Sequence, residues 1–162
     1  MFINFDCQGK VKYVWALLVY AMVISGPHSS SEVAEVMTSE FQTITTDVNI
    51  VDAARTMSQL NLGSLIVTND EEEILGVLSE RDITRKIVGE GRNPRKTLVR
   101  DVMSAPAVCV QRENTLDMVI RKMIEYNFRR LPVLSGEVIV GVISQTDLLA
   151  LYPSLVPSYQ WN

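Results

Sequence analysis

One eight-residue phrase occurs twice in this chain, and that duplication constrains the fold more than any other feature. Gly76-Val77-Leu78-Ser79-Glu80-Arg81-Asp82-Ile83 returns as Gly141-Val142-Ile143-Ser144-Gln145-Thr146-Asp147-Leu148. The aliphatic pair after glycine suits a buried strand. A serine followed three residues later by an aspartate suits a helix start, where the hydroxyl caps a backbone N–H and the acid lies in the first turn. Each phrase therefore predicts strand, tight junction and helix. Such a junction offers N–H groups and the positive end of a helix dipole to an anion such as phosphate. Capping alone explains the same residues, and both readings stay open at this point.

The repeat extends well beyond the phrase. Glu35-Val36-Met37-Thr38 matches Asp101-Val102-Met103-Ser104 at an offset of 66 (103 − 37), and the same offset pairs Arg55 with Arg121, Met57 with Met123, Asn61 with Asn127, Leu65 with Leu131 and Val67 with Val133. Downstream the offset is 65 (141 − 76), as a one-residue deletion at a hairpin tip would produce. Each copy has the same predicted order. A short β run comes first, over 42–46 and 107–111. An amphipathic helix follows, with Ile50, Ala53, Ala54, Met57 and Leu60 on one stripe, and Leu116, Val119, Ile120 and Met123 on the other. Asn49 and Thr115 align as N-caps. Two hairpin strands come next, 64–68 with 74–78 and 130–134 with 138–143, and a second helix closes the unit. The acidic run Asp70–Glu73 lies at a hairpin tip and reads as a solvated turn, with no companion ligands that would make it a metal site.

The predicted fold class is thus α/β (α+β), two β-α-β-β-α repeats. Each is about 55 residues, and a half of that size is marginal alone, so mutual packing of the halves is expected. The expected divisions are an N-terminal extension over 1–33, a first repeat over 34–92, a linker over 93–100, a second repeat over 101–153 and a tail over 154–162. The stretch 89–96, with Gly89, Gly91 and Pro94, marks the turn into that linker. Its arginines and Lys96 read as a solvated loop, or as a reach toward an anionic ligand or partner. The tail holds Pro153, Pro157, Tyr159 and Trp161 and is expected to be non-helical.

Residues 1–33 differ from the rest. Lys10 and Lys12 precede the apolar run Tyr13–Ile24, which is shorter than the roughly 20 residues a spanning helix needs. Three readings remain: an element packed on the protein or a partner, a signal peptide or weak membrane anchor, or an extension of little role with the start at Met22. Membrane attachment is not the expectation. A net charge of −4 and a pI near 5.0 argue against a general nucleic-acid binder, which needs Lys and Arg to neutralise phosphates. The two cysteines, Cys7 and Cys109, are far apart and read as thiols of a reducing compartment, the cytoplasm.

The residues quoted from both repeats carry a family resemblance. Leu62-Gly63-Ser64-Leu65-Ile66-Val67 with the first phrase, Asn127-Phe128-Arg129-Arg130-Leu131-Pro132-Val133 with the second, and the openings Glu-Val-Met-Thr (35–38) and Asp-Val-Met-Ser (101–104) resemble a tandem cystathionine-β-synthase (CBS) domain pair, a Bateman module. The resemblance covers about residues 34–152. It implies packing about a pseudo-two-fold axis, clefts between the repeats for AMP, ADP, ATP or S-adenosylmethionine, no required cofactor, and a homodimer. It carries ribose recognition over to Asp82 and Asp147, and a place near the phosphates to Ser79 and Ser144. Adenine is implied beside Thr45, Thr46, Gly63, Ser64 and Leu65, and beside Val110, Gln111, Arg130, Leu131 and Pro132.

The chemistry is reasonable on its own terms. A carboxylate can accept two ribose hydroxyls, and arginines suit phosphate. Arg81, Arg129 and Arg130 are the candidates. None has a basic counterpart: Thr146 stands where Arg81 does, and Gly63-Ser64 where the arginine pair does. The two sites are therefore expected to be unequal.

An enzyme is not expected. The single histidine, His28, precedes the repeats, and no Walker-type loop or Cys/His pairing appears. The expected function is a regulatory module sensing an adenine nucleotide or S-adenosylmethionine; the alternative is a dimerisation or partner-docking module that binds no nucleotide.

Overall fold

The computed structural model describes residues 30–151. The run Tyr13–Ile24, the rest of 1–29 and the tail from Tyr152 lie outside the described residues, so the expectations for them stand where the sequence left them. The described chain forms two compact units. One is Ser39–Cys109; the other joins the segment up to Thr38 to everything from Val110 onward.

In the Ser39–Cys109 unit, β1 (Thr43–Thr45) leads to α1 (Ile50–Gln59), then to the hairpin of β2 (Ser64–Thr68) and β3 (Ile74–Ser79). The sheet order is β1-β2-β3, parallel then antiparallel. Asn49 caps α1 by accepting the Asp52 N–H. Ile50, Ala53 and Met57 of α1 are buried in one cluster with Leu65, Val67, Leu78, Ile87, Val99 and Val102. Leu60, placed on the same stripe by its spacing, is instead 51% exposed. The helix has ended there, and Asn61 takes a left-handed turn with φ 53°. Asparagine tolerates that conformation because its short polar side chain can bond locally. The acidic run forms an exposed turn held by Asn69, whose side chain accepts the Glu73 N–H and donates to the Glu73 carboxylate. After β3, a one-turn helix α2 (Glu80–Ile83) runs on as a π-type turn, Thr84–Val88.

The other unit repeats this pattern with β4 (Val110–Gln111), α3 (Leu116–Tyr126), β5 (Arg130–Ser135), β6 (Val138–Ser144) and α4 (Gln145–Ala150), in sheet order β4-β5-β6. Leu116, Val119, Ile120 and Met123 are all buried, as their spacing predicts. Thr115 stands at the cap position, but its side chain makes no cap bond. β4 is shorter than the expected run 107–111. In the first copy, Ile66 donates its N–H to Gln42 O at 3.0 Å. Its counterpart is Pro132, which has no N–H to give, so the parallel ladder starts later.

Each repeat's opening phrase pairs with the sheet of the other repeat and lies in the same compact unit as that sheet. Ser104 pairs with Val77 through two backbone hydrogen bonds of 2.9 and 3.0 Å, and Thr38 pairs with Val142 likewise. β3 and β6 are the outer strands of their sheets, and these bridges cover part of each open edge. The upstream 3-10 turns dock in matching ways. Val99 and Arg100 donate N–H bonds to Val48 O and Thr46 O, and Val33 and Ala34 to Asn114 O and Arg112 O. Val33, Val99 and Val102 are fully buried.

This docking explains the glycine that opens each phrase. A Cβ on Gly76 would lie 2.6 Å from Ser104 O, and one on Gly141 would lie 2.3 Å from Thr38 O. Both obstacles are backbone atoms and cannot swing aside. Gly76→Ala and Gly141→Ala are each expected to destabilise by about 1–3 kcal/mol through this overpacking, read as a lowered midpoint in urea. Asn49→Ala should cost about 1 kcal/mol through its lost cap bond, whereas Thr115→Ala should be close to neutral; paired thermal melts check the contrast.

Candidate functional site

Each repeated phrase forms the same strand-to-helix junction, and the serine and aspartate hold it together. In the first, Asp82 N–H donates to Ser79 Oγ at 3.2 Å, Ser79 N–H donates to Asp82 Oδ2 at 3.1 Å, and Ser79 Oγ also donates to Asp82 Oδ2. In the second, Asp147 N–H donates to Ser144 Oγ at 3.3 Å, while Ser144 N–H and Oγ donate to Asp147 Oδ2 at 2.6 and 2.7 Å. This is a reciprocal capping box. The first helical N–H is also engaged: Glu80 donates to Gly63 O at 3.1 Å and Gln145 to Arg129 O at 3.0 Å. The junction therefore spends most of the N–H groups that made it a phosphate seat on paper. The helices it opens are four and six residues long, so their dipoles add little.

The strand register decides which predicted site residues meet. Ser64 pairs with Ser79 and Leu65 with Leu78, so Gly63, Ser64, Ser79, Arg81 and Asp82 share one end of the first sheet. In the second, Arg130 pairs with Ser144 and Leu131 with Ile143, which gathers Arg129, Arg130, Ser144, Thr146 and Asp147. Arg129 and Thr146 are exposed, while Leu65, Leu131 and Pro132 are buried and offer no side-chain contact at the surface.

The β1 and β4 candidates lie elsewhere. Thr45 pairs with Thr68, four residues along β2 from Ser64, or roughly 13 Å of strand. Thr45 Oγ1 donates to Asp47, and Thr46 O accepts from Arg100. Val110 pairs with Val133 and Gln111 with Leu134. The Gln111 side chain bonds both backbone groups of Gly136 at the hairpin tip. The parallel register thus puts Thr45, Thr46, Val110 and Gln111 away from the serine and aspartate of each phrase, with Val110 level with the phrase glycine Gly141 through Val133.

Two residues that sequence reasoning missed complete the first junction. Ser104 Oγ donates to Asp82 Oδ1 at 3.2 Å. The Lys86 ammonium stands 3.4 Å from the same oxygen and donates to Val102 O at 2.6 Å and Met103 O at 3.4 Å. Lys86 was findable, since it lies four residues after Asp82 on one helical face. Ser104 was not, because nothing in the sequence says that the second opening phrase packs on the first repeat. Among the described residues no three Cys, His, Asp or Glu side chains are grouped to hold a metal ion, and no helix is long and apolar enough to cross a membrane.

Comparison with known proteins agrees with this architecture. The uncharacterized protein MK0525 of Methanopyrus kandleri is 29% identical over 132 residues, covering 81% of this chain and 67% of that protein. The mitochondrial CBS domain-containing protein CBSX3 of Arabidopsis thaliana is 30% identical over 109 residues, 65% of this chain and 53% of that one. The chain thus spans two thirds of the first relative and about half of the second. Among solved structures, a hexameric CBS-CP12 protein from bloom-forming cyanobacteria superposes with a TM-score of 0.70 at 29% identity, covering 80% of this chain and 75% of that chain. The CBS domain family itself matches residues 33–89 and 99–154, so this chain belongs to the CBS-domain family and carries a pair of its domains, a regulatory module.

Proposed function

We propose that this CBS pair senses an adenine-containing small molecule, AMP, ADP, ATP or S-adenosylmethionine, and acts by binding rather than by catalysis. The observation that carries the reading is the carboxylate set at the first turn of each phrase helix, at a sheet end that also holds arginines: Arg81 in one unit, Arg129 and Arg130 in the other. A ribose presents two neighbouring hydroxyls, which one carboxylate can accept together. Guanidinium groups beside it suit a phosphate tail. Buried Leu65, Leu131 and Pro132 stiffen the strands that carry these groups without touching the ligand. Binding regulates only if the ligand favours one conformation of the module over another. Self-association is part of the proposal, supported by the hexameric state of the CBS-CP12 relative.

Thermal melts with each of the four compounds test the reading. A ligand present at 100 times its Kd stabilises by about 2.7 kcal/mol, which for a chain of this size raises Tm by about 5–10 °C. No shift with any of the four at millimolar concentration would reject the proposal and favour a docking module that binds no nucleotide.

A further inference from the structure

Helix α3 carries an apolar row on its outer side. Met118 is 43% and Tyr126 47% exposed, and with Lys122 between them they stand four apart along the helix. Leu116, Val119, Ile120 and Met123 fill the buried side. Phe128 lengthens the row, because its ring stacks on Tyr126 with centroids 6.0 Å apart and planes 17° from parallel. Leu60, Val88 and Val138 are also exposed, but they stand singly at the end of α1, in the turn after α2 and on β6. Scattered apolar residues are ordinary at a surface, whereas a contiguous row on one helix marks a contact.

The first repeat serves as an internal control. Both long helices receive the incoming chain in the same way. Ile50 N–H donates to Thr97 O at 3.0 Å and Leu116 N–H to Ser31 O at 3.1 Å, while Asn49 bridges Leu98 as Thr115 bridges Glu32. What arrives differs. The stretch 89–96 before Thr97 is polar and basic, and it leads to a helix with Asp52 and Thr56 where α3 has Met118 and Lys122. Asp52 is engaged there by Asn49 and Arg55. The chain before Ser31 carries the uncharged apolar run Tyr13–Ile24, which lies outside the described residues, and it leads to the helix with the apolar row. A polar approach thus meets a polar helix face, and an apolar approach an apolar one.

The lengths allow the contact. From Ile24 to Ser31 the chain has 7 steps (31 − 24), an extended reach of about 23–25 Å. With 11 residues, α3 is about 16 Å long, so even Tyr126 is within reach of a chain anchored at the helix start. We propose that Tyr13–Ile24 folds back on α3 and covers Met118, Tyr126 and Phe128. A tether this short holds the run at an effective concentration on the order of 1 mM, so it takes the face ahead of a second copy in dilute solution. Burying the run on the protein removes apolar surface that would otherwise face water.

Trp15 lies in the run, and Trp161 is the other tryptophan of the chain. In a Trp161→Phe chain the indole therefore reports on the run alone. Its emission should lie to the blue of tryptophan in water, with several-fold weaker quenching by acrylamide, and both should hold across a dilution series. Adding Met118→Lys with Tyr126→Lys should return Trp15 to the emission and quenching of a solvated indole. Both positions are exposed, so circular dichroism should show the fold kept. Leu60→Lys with Val138→Lys, at exposed apolar positions elsewhere, should leave Trp15 unchanged. A solvated Trp15 in the Trp161→Phe chain would overturn the proposal, as would protection that survives the α3 substitutions or is lost equally with the control pair. Protection that fades on dilution would give the face to a second copy. Protection gained only with vesicles of phosphatidylcholine and phosphatidylglycerol would make the run a membrane anchor. Either result would also overturn it.

Discussion

Each unit depends on a backbone bridge laid over a glycine. The segment ending at Ser104 closes the edge of β3, and the segment ending at Thr38 closes that of β6, and in both cases a carbonyl approaches the phrase glycine too closely for any side chain. The same segments deliver Val99 and Val102, or Val33, to fully buried positions. Without its borrowed segment a sheet of three strands would keep an open edge and a gap in its core. The exchange has a kinetic side. Ser104 reaches back 27 residues to Val77 (104 − 77), but Thr38 must meet Val142 across 104 residues (142 − 38). Closing that longer loop costs more chain entropy before any contact repays it, so the two units are unequal in folding although their element order is the same.

Much of this architecture is written locally, and that part was legible. Asn49, Ser79 and Ser144 announce helix starts because capping is a contact between near neighbours. The stripe on α3 is legible because burial repeats every three to four residues. Leu60 misleads because periodicity carries no stop signal, and the helix ends at a left-handed asparagine that the pattern does not weigh. β4 misleads because the missing donor belongs to Pro132, a residue of the neighbouring strand. The exchange of opening phrases was invisible for the same reason at longer range: identical openings in both repeats say nothing about which sheet each one edges.

The candidate site divides along the same line. The phrase residues come together because one junction carries them. Thr45, Thr46, Val110 and Gln111 do not reach the phrase serines and aspartates, since a parallel register is set by the whole ladder and by the loop that precedes it. Adjacency in an alignment of repeats thus located the carboxylates and arginines but could not place a residue contributed by a different strand.

The duplicated serine and aspartate also show why a motif alone underdetermines chemistry. In both copies the cap consumes the serine hydroxyl and one carboxylate oxygen, so these atoms hold the chain in shape. Any recognition has to come from the other oxygen, and its neighbours lie outside the motif. At that oxygen of Asp82 stand Ser104 and Lys86, and four residues after Asp147 the chain has Leu151, which brings no charge. Duplication thereby supplies the same junction twice, with different neighbours around each copy.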